Sequence, residues 1–272
     1  MPTSTSCSPS FERAVSRPLT DGNQSLQQTP PRVIVISHER SGTHFLMNSL
    51  AASYGYVAKP WINFDSDQFN INYFHPPRVA RFFQQFSSYP LSQIIKSHHH
   101  VDFFAGVLEE ITQSFIILYI HRDPRGVMPS FWRFNNQLAW REGPQTETCQ
   151  QFIRAQPGGR LLRYQINQQK SMVHRWQSHV SGWVSAARHN PHIQLVSYEK
   201  LRDDYRGVME ELSPLLQHQP TAFTPPDKLT NVVSPNTGYQ PQCQFGEVDE
   251  AFFQECAGDL LAKLGYGLPS DR

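Results

Sequence analysis

The pattern of apolar and polar positions predicts strands alternating with helices from residue 32 onwards. Four short apolar runs, rich in β-branched residues and flanked by turn formers, are typical of buried parallel strands: 32–37, 93–97, 115–120 and 193–198. Apolar residues at helical spacing begin at Thr43 and recur over 103–112, 126–134, 171–188, 205–216 and 249–264. This alternation predicts an α/β fold, with a central parallel sheet flanked by helices.

The ends of the chain differ in composition from this core. Residues 1–31 are dominated by Ser, Thr, Pro and Gln, which predicts a disordered or loosely docked tail, and residues 32–272 are predicted to form a single domain. The tail has no basic segment followed by an apolar one, so we expect no secretory signal. The stretch between Thr221 and Glu247 is rich in Pro, Thr, Asn and Gln and predicts a long loop.

Charge and cysteine content narrow the classes of protein. The chain has 24 Lys and Arg against 23 Asp and Glu, a balance that argues against a dedicated nucleic-acid binder. No apolar run approaches the roughly 20 residues of a membrane span. The four cysteines (Cys7, Cys149, Cys243 and Cys256) have no metal-ligand spacing, so we expect free thiols and a cytoplasmic location, with a structural disulfide as the alternative that no spacing requires.

The loop after the first predicted strand has the composition of an anion site. Residues 37–45 read SHERSGTHF, and Gly42 allows a tight turn immediately before a helix. The amides of Ser41, Gly42, Thr43 and His44 would then point outward at the helix N-terminus, with the charge of Arg40 beside them. The alternative is an ordinary strand–loop–helix connection with a Ser or Thr N-cap.

A second candidate follows the third predicted strand. Arg122 lies just beyond the strand's carboxyl end, where α/β sheets bind ligands. Ser130 lies eight residues later, and its side chain would reach back only if the chain bends near Gly126. The alternative is a surface arginine paired with Asp123, a contact of little energy.

A third candidate is the run from Lys96 to His100, which ends the second predicted strand. Three adjacent histidines suggest a metal site, but neighbours in an extended segment point to alternate faces. His98 and His100 could face one site while His99 could not. No carboxylate or cysteine stands at a suggestive spacing, and a polar strand end is the plain alternative.

Together these segments resemble the sulfotransferases that use 3′-phosphoadenosine 5′-phosphosulfate (PAPS). Residues 39–45 are similar to the family's 5′-phosphosulfate loop, roughly Pro-Lys-Ser-Gly-Thr-Thr-Trp, with Arg in the Lys place, His in the second Thr place and Phe in the aromatic place. Residues 122–130 resemble its 3′-phosphate site, an Arg-Asn/Asp-Pro followed by a spaced Val and Ser. Residues 96–98, Lys-Ser-His, match the family's Lys-Thr-His triplet.

The resemblance implies a P-loop-like three-layer fold and a reaction. A sulfuryl group would pass from PAPS to a hydroxyl or amine of a small-molecule acceptor, leaving adenosine 3′,5′-bisphosphate (PAP), with no metal. The implied donor-binding residues are Arg40, Ser41, Gly42, Thr43, His44, Phe45, Arg122, Ser130 and Tyr198, with Phe45 and Tyr198 beside the adenine. His98 would be the general base, with His99 in reserve, and Lys96 and Arg40 would stabilise developing charge.

One departure from the family concerns the 3′-phosphate. Vertebrate members carry a basic triplet in a C-terminal loop, whereas residues 231–247 contain no Lys or Arg. Either Arg125 or Arg133 substitutes for the triplet, or the donor binds less tightly than in those members. Without a Walker lysine, a P-loop kinase is the weaker alternative. A catalytically inert nucleotide-binding relative is another.

Aromatic residues are dense between residues 54 and 89 and again at Phe131, Trp132 and Trp140. Such a wall favours a small, partly apolar or cationic acceptor, which points to a secondary metabolite such as a phenol or an alkaloid. Many of these residues could instead be core residues. No nucleic acid or membrane partner is expected, and the sequence leaves the oligomeric state open.

Overall fold

The computed structural model describes residues 30–89, 92–137, 143–226 and 243–267. Five strands form one parallel sheet in the order β2-β3-β1-β4-β5. They are β1 (Arg32–Ser37), β2 (Val57–Asn63), β3 (Gln93–Ser97), β4 (Phe115–His121) and β5 (Ile193–Ser197). The predicted tail over residues 1–29, which includes Cys7, lies outside the described residues, as do Trp140 and residues 227–242 of the predicted loop.

Nine α-helices are found in the described ranges. They are α1 (Thr43–Tyr54), α2 (Pro76–Ser87), α3 (Leu108–Thr112), α4 (Pro124–Gln137), α5 (Cys149–Arg154), α6 (Met172–His189), α7 (Tyr198–Asp203), α8 (Tyr205–Leu216) and α9 (Glu247–Lys263). No helix in the described ranges is both long and apolar enough to cross a membrane.

The helices cover both faces of the sheet, which confirms the predicted α/β class. Alternate residues of β1 point to opposite faces, so Val33 and Val35 belong to one apolar cluster and Ile34 and Ile36 to the other. The first cluster is covered by α1, α7 and α8, and the second by α2 to α6 and α9. Burial on both faces explains why β1 and β4 are almost entirely apolar.

Two elements escaped the sequence pattern because their local signals are mixed. β2 contains Lys59-Pro60, and proline, which cannot donate a ladder hydrogen bond, is confined to edge strands such as this one. α2 carries three of the aromatic residues that suggested an acceptor wall, Phe82, Phe83 and Phe86. The helix predicted over 103–112 is instead a 3₁₀ turn, Val101–Phe104, and the short α3, separated by Gly106 at φ 80°.

The prediction of free thiols is wrong for two of the four cysteines. Cys149, at the start of α5, forms a disulfide with Cys243, which lies just before α9 and 94 residues further along the chain. Cys256 in α9 is a free thiol. Sequence spacing carries no information about a pair that only the packing of α5 against the C-terminal segment brings together.

Candidate active site

A cavity of about 500 Å³ opens at the carboxyl edge of the sheet, where β1, β3 and β4 end side by side. Parallel sheets bind ligands at this edge because the strand-to-helix loops converge there. All the sequence-predicted site residues except Ser41 line it: Arg40, Gly42, Thr43, His44, Phe45, Lys96, His98, Arg122, Ser130 and Tyr198. Ser41, in the loop between β1 and α1, is fully buried and does not line the cavity.

The loop between β1 and α1 turns on two residues with left-handed backbone conformation. Arg40 has φ 64° and Gly42 has φ 101°. A Cβ on Gly42 would stand 2.4 Å from Cδ2 of Tyr198, so this position requires glycine for space as well as for conformation. The two ends of the loop are joined by the hydroxyls of Ser37 and Thr43, which lie 2.7 Å apart.

The amides of this loop match the predicted anion site at three of four positions. The Ser41 amide donates to the carbonyl of His38, which corrects the expectation that it points outward. The amides of Gly42, Thr43 and His44 have no acceptor within the described part of the chain. Such orphan donors are normal for the first turn of a helix and are available to an anion.

A buried ion pair beneath the loop fixes its first two residues, His38 and Glu39. Arg175 of α6 donates to both carboxylate oxygens of Glu39, at 2.7 Å each, and to Nε2 of His38 at 2.8 Å. Burial by itself raises the pKa of Glu39, but the charge of Arg175 outweighs it and holds that pKa below its usual range. Sequence spacing could not indicate Arg175, because the contact spans 136 residues.

Two arginines, Arg40 and Arg122, line the cavity, and their positive charges repel each other. The Nε of Arg40 donates to the hydroxyl of Ser130 at 3.1 Å, and the guanidinium of Arg122 lies 4.3 Å from the ring centroid of Tyr198. Burial, followed by the charges of Arg122 and Arg133, lowers the pKa of Arg40 to about 10. Cations that destabilise one another in this way attract an anionic ligand.

Helix α4 is continuous across Gly126, so the predicted bend is not what brings Ser130 to the cavity. Gly126 serves a different purpose. A Cβ there would stand 2.9 Å from Nε of Arg122, so the missing side chain leaves room for that arginine.

His98 is the member of the histidine run that lines the cavity. Its Nδ1 lies 2.9 Å from the carbonyl oxygen of Ser37, a bond that requires the proton on Nδ1 and leaves Nε2 as an acceptor. Burial and then the charge of Lys96 lower the pKa of His98 to about 3, against the opposing influence of Asp65 and Glu39. The imidazole is therefore neutral at pH 7.

The other two histidines of the run turn away from the cavity. His99 is fully buried among aromatic rings, with Nδ1 at 3.0 Å from Asp65. His100 does not share a site with His98, because its Nε2 bonds to the carbonyl of Ser178 in α6. The three rings thus diverge, and the described residues contain no group of three or more His, Cys, Asp or Glu side chains placed to hold a metal.

Six further residues line the cavity without having been singled out from the sequence for this site: Glu39, Asn63, Phe134, Arg163, Tyr164 and Arg202. Arg163 lies in the 3₁₀ helix Gly159–Tyr164 between α5 and α6, and Arg202 lies in α7 beyond Tyr198. Arg125, one of two substitutes suggested for the missing basic triplet, pairs with Asp123 and Glu250 and does not line the cavity.

The predicted aromatic wall is wrong for most of its members. Of the aromatic residues between 54 and 89, only Trp61 lines the cavity, where it lies 4.8 Å from the His44 ring. Phe64, Phe82 and Phe83 are core residues, as are Phe131 and Trp132. Phe82, Phe83 and Phe86 lie in α2, whose apolar face packs into the same core cluster.

Comparisons with known proteins identify a family and several structures to which this chain is similar. The model of the sulfotransferase domain family matches residues 30–236. A solved structure of a mouse sulfotransferase complexed with PAP has a TM-score of 0.50 at 15% identity, over 85% of this chain and 84% of that one. A sulfotransferase from Alicyclobacillus acidocaldarius has a TM-score of 0.45 at 14% identity, over 88% and 98%. Retinol dehydratase in complex with androsterone and PAP has a TM-score of 0.44 at 18% identity, over 71% and 62%.

Proposed function

Because this chain belongs to the sulfotransferase family, we propose that its donor is PAPS, that its acceptor is a small molecule and that His98 is the general base. The observation that carries the proposal is the cavity itself, in which Arg40, Lys96 and Arg122 surround a neutral imidazole at the ends of three strands. Orphan amides, and two arginines, Arg40 and Arg122, that form no ion pair within the described residues, fit a donor with several anionic groups.

The donor's anionic groups are assigned to two places in the cavity. The amides of Gly42, Thr43 and His44, with Arg40, hold the 5′-phosphosulfate, because they form a helix N-terminus beside a guanidinium. Arg122 and Ser130 hold the 3′-phosphate. Arg202 lines the same cavity and is a better candidate than Arg125 for the place of the missing basic triplet.

The residues around the reacting groups divide the chemical work. When bound, the donor supplies the sulfuryl group, whose bond to the bridging phosphate oxygen breaks as the acceptor oxygen or nitrogen bonds to sulfur. His98 accepts the acceptor's proton at Nε2, the nitrogen that its bond to Ser37 leaves unprotonated. Lys96 and Arg40 stabilise the negative charge that develops on the departing side, and Arg40 acts by charge alone.

The size of the cavity restricts the acceptor. A volume of about 500 Å³ has to hold both the donor's reacting end and the acceptor, which favours a small organic molecule over a polymer. Trp61, Phe134 and Tyr164 supply apolar surface on its wall. A phenol, alcohol or amine of secondary metabolism is the acceptor we propose.

An acceptor screen tests the proposed reaction. Incubation with PAPS and a panel of simple phenols, alcohols and amines should yield products heavier by one sulfuryl group, and chelator should leave the rate unchanged. Thermal stabilisation should be larger with PAP than with ATP. No product from any acceptor, together with stabilisation by ATP alone, would favour the kinase alternative.

A pair of histidine variants tests whether His98 is the general base. His98→Gln should lower the rate of the chemical step by about 10²- to 10⁴-fold, because the general base is lost, while PAP binds with nearly unchanged affinity. His100→Gln is the matched control, since that ring bonds to Ser178 outside the cavity. A His98→Gln variant with near-normal turnover would show that another group takes the proton.

A further inference from the structure

A buried aspartate next to the site has no role in the reaction proposed above. Asp65 follows β2 and is 4% exposed. It does not line the cavity, so it touches neither the donor nor the acceptor site. Asp65 lies within residues 54–89, a stretch that the sequence analysis characterised only by its many aromatic residues.

The Asp65 carboxylate collects donors from four consecutive residues at the end of β3. Oδ2 accepts from Nζ of Lys96 at 3.2 Å. Oδ1 accepts from the hydroxyl of Ser97 at 3.0 Å, from the backbone amide of His98 at 3.2 Å and from Nδ1 of His99 at 3.0 Å. One side chain in the turn after the edge strand β2 therefore fixes the whole segment that carries Lys96 and His98.

The negative charge of Asp65 affects both Lys96 and His98. Lys96 is only 8% exposed, and a buried ammonium needs a partner to hold its place. Burial raises the pKa of Asp65, but Lys96 and the hydrogen bond from His99 outweigh that effect and keep the group ionised. The same negative charge opposes the influence of Lys96 on His98.

We infer that Asp65 is a positioning residue for sulfuryl transfer, which holds the Lys96 ammonium and the His98 backbone in their reactive places through contacts outside the cavity. The inference rests on the proposed function. Displacement of a reacting group by about 1 Å can cost about 10²-fold in rate. Asp65 acts in this way because the four bonds allow β3 and Lys96 a single arrangement.

The test uses Asp65→Asn, which keeps the Oδ1 acceptor but replaces the partner of Lys96 with a donor. We expect kcat to fall about 10- to 100-fold on whichever acceptor of the panel the wild type sulfates fastest. The dissociation constant of PAP should stay within about 3-fold of the wild-type value, because the donor contacts are untouched. Asp102→Asn is the matched control, since Asp102 pairs with His100 and is 44% exposed.

A double-mutant cycle with Lys96→Met separates positioning from mere structural support. If Asp65 acts through Lys96, Asp65→Asn should change kcat by less than about 3-fold in the Lys96→Met background. The double variant contains no unpaired buried charge, so its kcat can be compared with that of Lys96→Met even if Asp65→Asn alone does not fold. Full additivity of the two losses, or wild-type kcat for Asp65→Asn, would overturn the inference. A wild type inactive on the whole panel would overturn the proposed function and this inference with it.

Discussion

Gly42 and Gly55, at the two ends of helix α1, provide a matched pair for measuring how tightly the loop is packed. Both have left-handed backbone conformation, at φ 101° and φ 74°. A methyl group on Gly55 would meet nothing within 4 Å, whereas one on Gly42 would meet Tyr198 at 2.4 Å. Alanine carries a conformational cost at both positions, larger at φ 101° than at φ 74°, and only Gly42→Ala adds a steric cost.

The magnitudes follow from that difference. The left-handed conformation costs an alanine about 1–2 kcal/mol, so Gly55→Ala should lower the free energy of unfolding by that amount. Overpacking adds about 1–3 kcal/mol for Gly42→Ala. The Tyr198 ring must move, and the guanidinium of Arg122 rests on it at 4.3 Å. Loss of one charged hydrogen bond to phosphate, worth about 1.5–3 kcal/mol, weakens PAP binding about 10- to 100-fold.

Urea unfolding and calorimetric titration with PAP measure the two effects separately. Gly55→Ala should bind PAP like the wild type despite its lower stability. Gly42→Ala should be less stable than Gly55→Ala and bind PAP more weakly. Equal stability and equal PAP affinity in the two variants would refute the close packing of Gly42 against Tyr198 as the reason for glycine there.

Three other predictions concern pH, helix α4 and the disulfide. Burial is the largest cause of a lowered pKa at five histidines: to about 4 for His38, His44 and His121, to about 3 for His98, and well below its usual value for His179. Below pH 6.5 the unfolded chain binds protons that the folded chain does not. Urea titrations should therefore show stability falling by up to about 1.4 kcal/mol per pH unit for each histidine between pH 6.5 and 4, and a flat profile would contradict their burial as neutral groups. Gly126→Ala should raise helix stability by about 1 kcal/mol yet weaken PAP binding by displacing Arg122, and unchanged PAP affinity would argue against that crowding. Reduction of the Cys149–Cys243 bond should lower the free energy of unfolding by about 2–5 kcal/mol. Peptide mapping without reductant that recovers both as free thiols would disprove the bond.

The amino-acid sequence alone determined the parts of this protein that depend on neighbouring residues. The apolar runs of β1 and β4 are continuous because both faces of a parallel sheet are buried, so their position could be predicted closely. The glycine-bearing loop before α1 and the arginine after β4 are short motifs with local geometry. Strand ends of a parallel sheet meet at one edge, which is why these separate segments could be predicted to converge.

Only the tertiary structure decided which side chains share a site. The three adjacent histidines are alike in sequence, yet Ser37, Asp65 and Ser178 draw their rings in three directions. Asp65 follows an edge strand with a weak local pattern, and its partners lie more than 30 residues away. The Cys149–Cys243 bond and the ion pair beneath the loop span still longer separations. Such contacts arise from the packing of helices on the sheet, and no periodicity along the chain encodes them.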